Sequence, residues 1–396
     1  MGGKTLTPVV GLSLLGLLAG AATQYGAFFL SPDTSVRSLA ETCQMPSRQK
    51  LATDVTRGSV PQLDNFLCIV MPFFQRSVSN RLNVGLYAVM IATVIPFLYR
   101  LSFQAVSPNR KTDLLGALPI LVILSVGNAF GFGPWSCILA GLVWIPGTYV
   151  ALKHSSAAVP PVPTPASNIY LCNLLFAFST TVLAATIFGD PERPLWSHAA
   201  LALQFASFSY MPVLYKNLTT PKVNAEDKAR SVIRRYDAEG ISYSFERTWS
   251  YYRKIAAVSA FTYWYGINRI IRGLVFEEGK FDAVSMFWVF DILGLWIAIT
   301  LIVASEKLTV RSKSLTHPVT GASRSPLDIE CDKAILKAPA GSPWLEKSTA
   351  GFITACLAGG PGFAASMWWC SGEEEAGWKA RKAWREAVAV DGKKDK

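Results

Sequence analysis

The sequence predicts an all-α, polytopic helical membrane bundle of about eight transmembrane spans. Three observations predict it. The chain is 51% hydrophobic and only 16% charged, well under the roughly 25% charged content of soluble domains. Its mean hydropathy is positive, at +0.29. Its apolar residues are clumped into blocks near the roughly 20 residues that cross a hydrocarbon core. The net charge of +11 does not point to nucleic acid. Lys and Arg lie between the apolar blocks, where they set orientation and meet the anionic heads of membrane lipids.

Residues 1–60 read as a signal anchor followed by a polar loop. Lys4 and the small-residue run LAGAA resemble a signal peptide, but the apolar block at 7–30 outruns a signal core and reads as retained. Residues 61–304 form the core bundle. They open on PQLDNFLCIVMPFFQ, whose apolar part at 66–74 is too short to cross unaided. It reads as a re-entrant or interfacial segment, or as the start of a helix buried in protein. Fuller spans follow at 82–105, 113–134, 135–152, 169–189, 196–215, 254–274 and 282–304. The spans at 113–134 and 135–152 abut, so Gly131, Gly133 and Pro134 must make a tight turn.

Residues 305–347 are a polar loop. The last region, 348–396, holds a possible ninth span at 349–369 and a basic amphipathic tail at 373–390. The GGPG run at 359–362 would break that span at mid-depth, which survives only where protein or water satisfies the freed backbone. The tail is expected to rest on the lipid surface, the alternative being a solvated charged tail. The basic loops at 216–253 and 306–347 fall on the side of the N-terminus and the Arg110–Lys111 turn, which should be cytosolic. The sequon at Asn217 then stays bare. The 7 cysteines are odd in number and scattered, no CxxC exists, and the three histidines are far apart. A zinc site or a disulfide framework is not expected, and most thiols read as small hydrophobes in helices.

Asp291 is the charged side chain inside the 282–304 span, at a depth that costs roughly 2.5–3.5 kcal/mol on insertion scales. Helical neighbours Phe287, Trp288 and Leu295 are apolar or aromatic. A carboxyl there favours its neutral form and can serve as a general acid. The other reading is a salt bridge. Arg269 and Arg272 end the preceding span, with Asp291 about 13 Å and Arg269 about 8 Å from the connecting loop. Asp113 and Asp282 each open a span and read as helix caps, and Asp190 lies in a short turn. Glu246, in ISYSFERTWSYYRK, is either a belt residue paired with a neighbouring Arg or a second carboxylate at the mouth of an aromatic pocket. Asp64, just before the short apolar segment, reads as a cap or as a second acid.

Tyr263, Trp264, Phe287 and Trp288 fall on two successive spans and are the candidate walls of a pocket for a cationic intermediate. Ordinary membrane packing accounts for such rings as well. No DDxxD, DxDD or NDxxD cluster and no Walker loop occurs. No metal and no cofactor is expected, and an enzyme of this kind would start its chemistry with a proton.

The segments PQLDNFLCIVMPFF, SFERTWSYYRKIAAVSAFTYWYGINR, FWVFDILGLW and GGPGFAASMWW, within residues 61–369, resemble the fungal membrane-bound terpene cyclases of meroterpenoid pathways, the ascofuranone type in particular. The resemblance implies metal-free cyclisation of a prenylated aromatic polyketide whose terminal olefin is epoxidised, in secondary-metabolite biosynthesis. It implies Asp291 as proton donor and Glu246 or Asp64 as second acid or final base. The membrane would be that of the endoplasmic reticulum. Two rival functions remain: a transporter or exporter of an apolar metabolite with Asp291 paired to Arg269 or Arg272, and a membrane scaffold for pathway enzymes.

Overall fold

A computed structural model describes residues 6–30, 43, 59–105, 117–154, 238–276, 281–313 and 349–394. All regular structure among them is helical. The expected spans at 169–189 and 196–215, together with Asp113, Asp190 and Asn217, lie outside the described residues.

Local chemistry sets the helix ends. Helix α1 (Leu6–Phe29) carries Pro8 in its first turn, where a missing N–H costs nothing. Helix α2 (Pro61–Ser79) begins on a proline and ends at Asn80, which is extended. Asn80 then caps α3 (Arg81–Ala105), its Oδ1 accepting from the Asn83 amide at 2.7 Å. Helix α4 (Ala117–Phe130) stops at Gly131, whose φ of 116° is left-handed, and α5 (Phe132–Leu139) starts at once. This is the tight turn expected there. Helix α5 continues through a π turn (Ala140–Trp144) into α6 (Ile145–His154). Helix α7 (Ala238–Phe276) is followed by α8 (Ala283–Lys313), which Asp282 caps by accepting from the Ser285 amide at 2.7 Å. Helix α9 (Thr349–Lys394) is broken at Gly360, with φ 84° and ψ 166°, before Pro361. The GGPG run thus interrupts the helix as expected.

Among the described residues, four helices are long and apolar enough to cross a membrane: Leu6–Phe29, Arg81–Leu101, Ala283–Glu306 and Thr349–Gly372. The sequence counted about eight spans. Two of those lie outside the described residues, the 113–134 block is cut at Gly131, the 135–152 block is divided between α5, the π turn and α6, and α7 carries Arg253, Lys254, Arg269 and Arg272. The fourth apolar helix, Thr349–Gly372, is the possible ninth span.

Helix α3 is central. Its apolar window is 94% buried, against 17% for α1. One face of α3 meets α7 at Gly85, whose added Cβ would lie 2.7 Å from the Gly266 carbonyl oxygen. The opposite face meets α8, where Tyr87 packs on Trp288 with ring centroids 5.0 Å apart. Helices α7 and α8, consecutive in the described chain, are therefore held apart by α3. Close glycine approaches of this kind are how membrane helices gain contact without a hydrophobic driving force between them.

The bundle has two ends. Arg100, Tyr252, Glu306 and Trp369 gather at one, the Glu306 end. Asp282, Ser285 and Asn83 gather at the other, the Asp282 end, with Gly273 packed on Leu82. Helix α1 runs toward the Asp282 end, since Gly16 faces Gly141 while Phe28 packs on Phe287. Helix α9 runs parallel to α8. Trp264 contacts Ala358, whereas Trp369 reaches Glu306. The described end of α8 and the start of α9 therefore lie at opposite ends.

The cysteine reading is also corrected. Cys43 and Cys68 form a disulfide, with Cα atoms 6.0 Å apart. Spacing in sequence gave no hint that the chain after α1 returns to α2. Cys137, Cys356 and Cys370 are free thiols in helices, as expected.

Candidate functional site

Asp291 is 1% exposed and lies about 13 Å along α8 from the Asp282 end. Its partner is the start of α5. The Gly133 amide donates to Asp291 Oδ1 at 2.7 Å, and the Phe132 amide also donates to the carboxyl. Gly131 occupies the cap position of α5 and has no side chain to offer. Asp291 therefore supplies across the bundle the acceptor that a capping side chain normally gives locally. A helix can begin at this depth because protein meets its first amides. The positive end of the α5 dipole points at the carboxyl as well.

Two glycines make the approach possible. A Cβ on Gly133 would overlap the Asp291 carbonyl oxygen, and one on Gly294 would lie 2.6 Å from the Gly133 carbonyl carbon. The thiol of Cys137 donates to the Gly294 carbonyl oxygen at 2.8 Å, one turn further on.

The salt bridge weighed for Asp291 does not form. Arg269 donates through Nε to the Tyr265 hydroxyl at 3.1 Å and lies over that ring. The reason is architectural: α3 separates α7, which carries Arg269 and Arg272, from α8. The short loop assumed to bring α7 and α8 side by side does not do so.

The four candidate pocket rings are not brought together either. Phe287 and Trp288 are buried in a cluster with Phe73 of α2, Phe28 of α1 and Tyr87 of α3. Trp288 Nε1 donates to the Ser77 hydroxyl at 2.9 Å. Tyr263 and Trp264 lie across α3, at the break in α9. Tyr263 lies against Gly360, and Trp264 Nε1 donates to the Ala358 carbonyl at 2.8 Å. Pro361 and the turn at Gly360 disrupt the α9 ladder at that point, and the indole N–H gives a carbonyl there a donor.

Asp64 is fully buried in the first turn of α2, one position past the segment's cap region. Its amide donates to the Val60 carbonyl. The helix cap is Val60, so Asp64 is not the cap residue expected. Its charge still suits the first turn of a helix. Glu246 is on α7, two turns before Tyr252, and the surroundings of its side chain lie outside the description.

The sequence reading missed one site. Arg100 and Glu306 form a buried ion pair at 2.9 Å. Arg100 Nε also reaches Glu306 Oε1 at 3.3 Å, and Arg100 Nη1 donates to the Tyr252 hydroxyl at 3.4 Å. Trp369 Nε1 donates to Glu306 Oε2 at 3.1 Å, and the guanidinium stands 5.5 Å from the Trp369 ring centroid. Helices α3, α7, α8 and α9 are tied together there. A signal was available: Arg100 falls within the 82–105 span, and a cation inside a span needs a partner. Glu306, two residues past the apolar run that ends at Ala304, was counted with the loop.

Among the described residues, no three His, Cys, Asp or Glu side chains gather into a group that could hold a metal. No family model, curated protein or solved structure matches the chain.

Proposed function

We propose that the protein is an integral-membrane terpene cyclase that starts its reaction by proton transfer from Asp291. The observation that carries this reading is a carboxyl buried at membrane depth, held by two backbone amides and, among the described residues, by no cation. The rings of Phe287 and Trp288 lie one turn before it on α8. The segments that resemble the fungal meroterpenoid cyclases include FWVFDILGLW, which contains Asp291.

The substrate on this reading is a prenylated aromatic polyketide with a terminal epoxide, in the endoplasmic reticulum membrane. The Asp291 carboxyl proton passes to the epoxide oxygen, leaving a carboxylate. The C–O bond to the more substituted carbon breaks, leaving a hydroxyl and a carbocation. Successive C=C bonds attack, each forming one C–C bond and moving the charge along. A base then takes a proton beside the last cation, leaving a new C=C. Atoms and oxidation level are unchanged, so the reaction is an isomerisation. Asp64, or Glu246, is the candidate base. Two amide donors fix the carboxyl's orientation through the transfer, which is the preorganisation that proton donation needs.

The hydrogen bond from Gly133 also fits a purely structural cap, as a transporter or scaffold would use it. Asp291→Asn separates the two, because an amide oxygen caps a helix as well as a carboxylate does but has no acidic proton to give. The cyclase reading expects the variant to insert and fold as wild type and to convert no epoxidised substrate in a clean host. Wild-type turnover by the folded variant would remove Asp291 from the chemistry and leave it as a cap.

A further inference from the structure

The chain leaves α1 at the Asp282 end, and α2 enters α3 at that same end through Asn80. Ser77 of α2 meets Trp288, a turn and a half into α8. The Cys43–Cys68 disulfide therefore belongs to the Asp282 end. Disulfides persist in oxidising compartments and are rare where glutathione keeps thiols reduced. Lys4 precedes α1, Arg110 and Lys111 follow α3, and Lys307, Arg311 and Lys313 close α8, while Arg76, Arg81, Arg269 and Arg272 lie toward the Asp282 end. Basic residues thus flank both ends, and the disulfide is what assigns the orientation.

Helix α2 is the element this disulfide touches. At 19 residues it is long enough to cross, but it is too mixed in polarity to count among the membrane-crossing helices. It lies on α3 and α8 and seats Phe73 on Phe287 and Trp288, with centroids 4.8 and 5.6 Å away. It also buries Asp64 one turn before Cys68. We propose that the Asp282 end faces an oxidising compartment and that the Cys43–Cys68 disulfide staples α2 there as a cover over the Phe73–Phe287–Trp288 cluster. The proposal is independent of the cyclase reading and stands whether or not Asp291 donates a proton.

Three measurements on the full chain test it. Free thiols are blocked under denaturing conditions, the protein is reduced, and new thiols are tagged with a maleimide-linked polymer. Wild type gains two more tags than the Cys43→Ser/Cys68→Ser double variant, and equal tagging overturns the disulfide. A glycosylation sequon engineered within residues 46–58 acquires an endoglycosidase-sensitive glycan, whereas one within 106–112 stays bare. The opposite pattern overturns the orientation. Hydrogen exchange of the solubilised protein then reads the staple. Reduction speeds exchange in Pro61–Ser79 by about tenfold and leaves Arg81–Ala105 unchanged. Unaltered exchange in α2 overturns the cover, as does equal acceleration of both helices.

Discussion

Two helix interruptions lie inside the bundle, one on each side of α3, and they are mended by opposite chemistry. At Gly360 the broken helix frees carbonyl groups, and the neutral indole N–H of Trp264 donates to Ala358. At Gly131 a new helix begins and frees amides, and the carboxyl of Asp291 accepts from Gly133 and Phe132. A freed carbonyl needs a donor and a freed amide needs an acceptor, so the direction of the break decides which partner is required. The consequence reaches function. Only the second repair places an ionisable group at membrane depth, which is why the proposed proton chemistry belongs to the α5–α8 side and not to the α7–α9 side.

The largest effect is expected outside both interruptions, which sets the scale for them. Arg100→Ala leaves Glu306 buried without its cation and should cost about 3–5 kcal/mol. Replacing both, as Arg100→Met with Glu306→Leu, should recover most of that loss in thermal unfolding of the solubilised protein. Recovery would mark the pair as structural; persistent instability would point to the Tyr252 and Trp369 contacts instead.

Next come the glycines. Gly133→Ala drives a Cβ into the Asp291 backbone and should cost about 3 kcal/mol, the upper end for overpacking. Gly360→Ala forces an unfavourable backbone conformation but meets the Tyr263 ring, which can turn aside. Its cost should be nearer 2 kcal/mol. Reversal of that order in denaturant unfolding would mean that α5 can slide away from α8, and that the carboxyl is less fixed than its hydrogen bonds imply.

The smallest effects compare the two repairs directly. Asp291→Ala removes a cap and should cost about 1–2 kcal/mol, with Asp291→Asn close to neutral. Trp264→Phe keeps the ring and loses one neutral hydrogen bond, about 1 kcal/mol. Equal losses for Asp291→Ala and Asp291→Asn would show that the amides at α5 do not need this acceptor.

Much of the local structure was legible in the sequence. Asp282 read as a cap and is one. The turn at Gly131 and the break at GGPG were both anticipated, because glycine and proline act within a few residues. The depth of Asp291 followed from its place within one apolar run. Its partner did not. Arg269 is near Asp291 along the chain, and reasoning along the chain pairs them; Gly133 is 158 residues away. The aromatic set failed for the same reason. Tyr263 and Trp264 share an apolar neighbourhood in sequence with Phe287 and Trp288, yet α3 separates the two pairs.

By itself the sequence determined that the described chain is helical and apolar enough to cross a membrane, where its helices start and break, and that one carboxyl lies deep within α8. Only the tertiary structure decided what that carboxyl touches, which rings stand together, and that Arg100 finds Glu306. The physical reason is the range of the forces. Caps, turns and hydropathy act over a few residues or along a single helix. Helix neighbours are chosen by backbone-to-backbone packing at glycines such as Gly85, Gly133 and Gly266, between segments far apart in the chain.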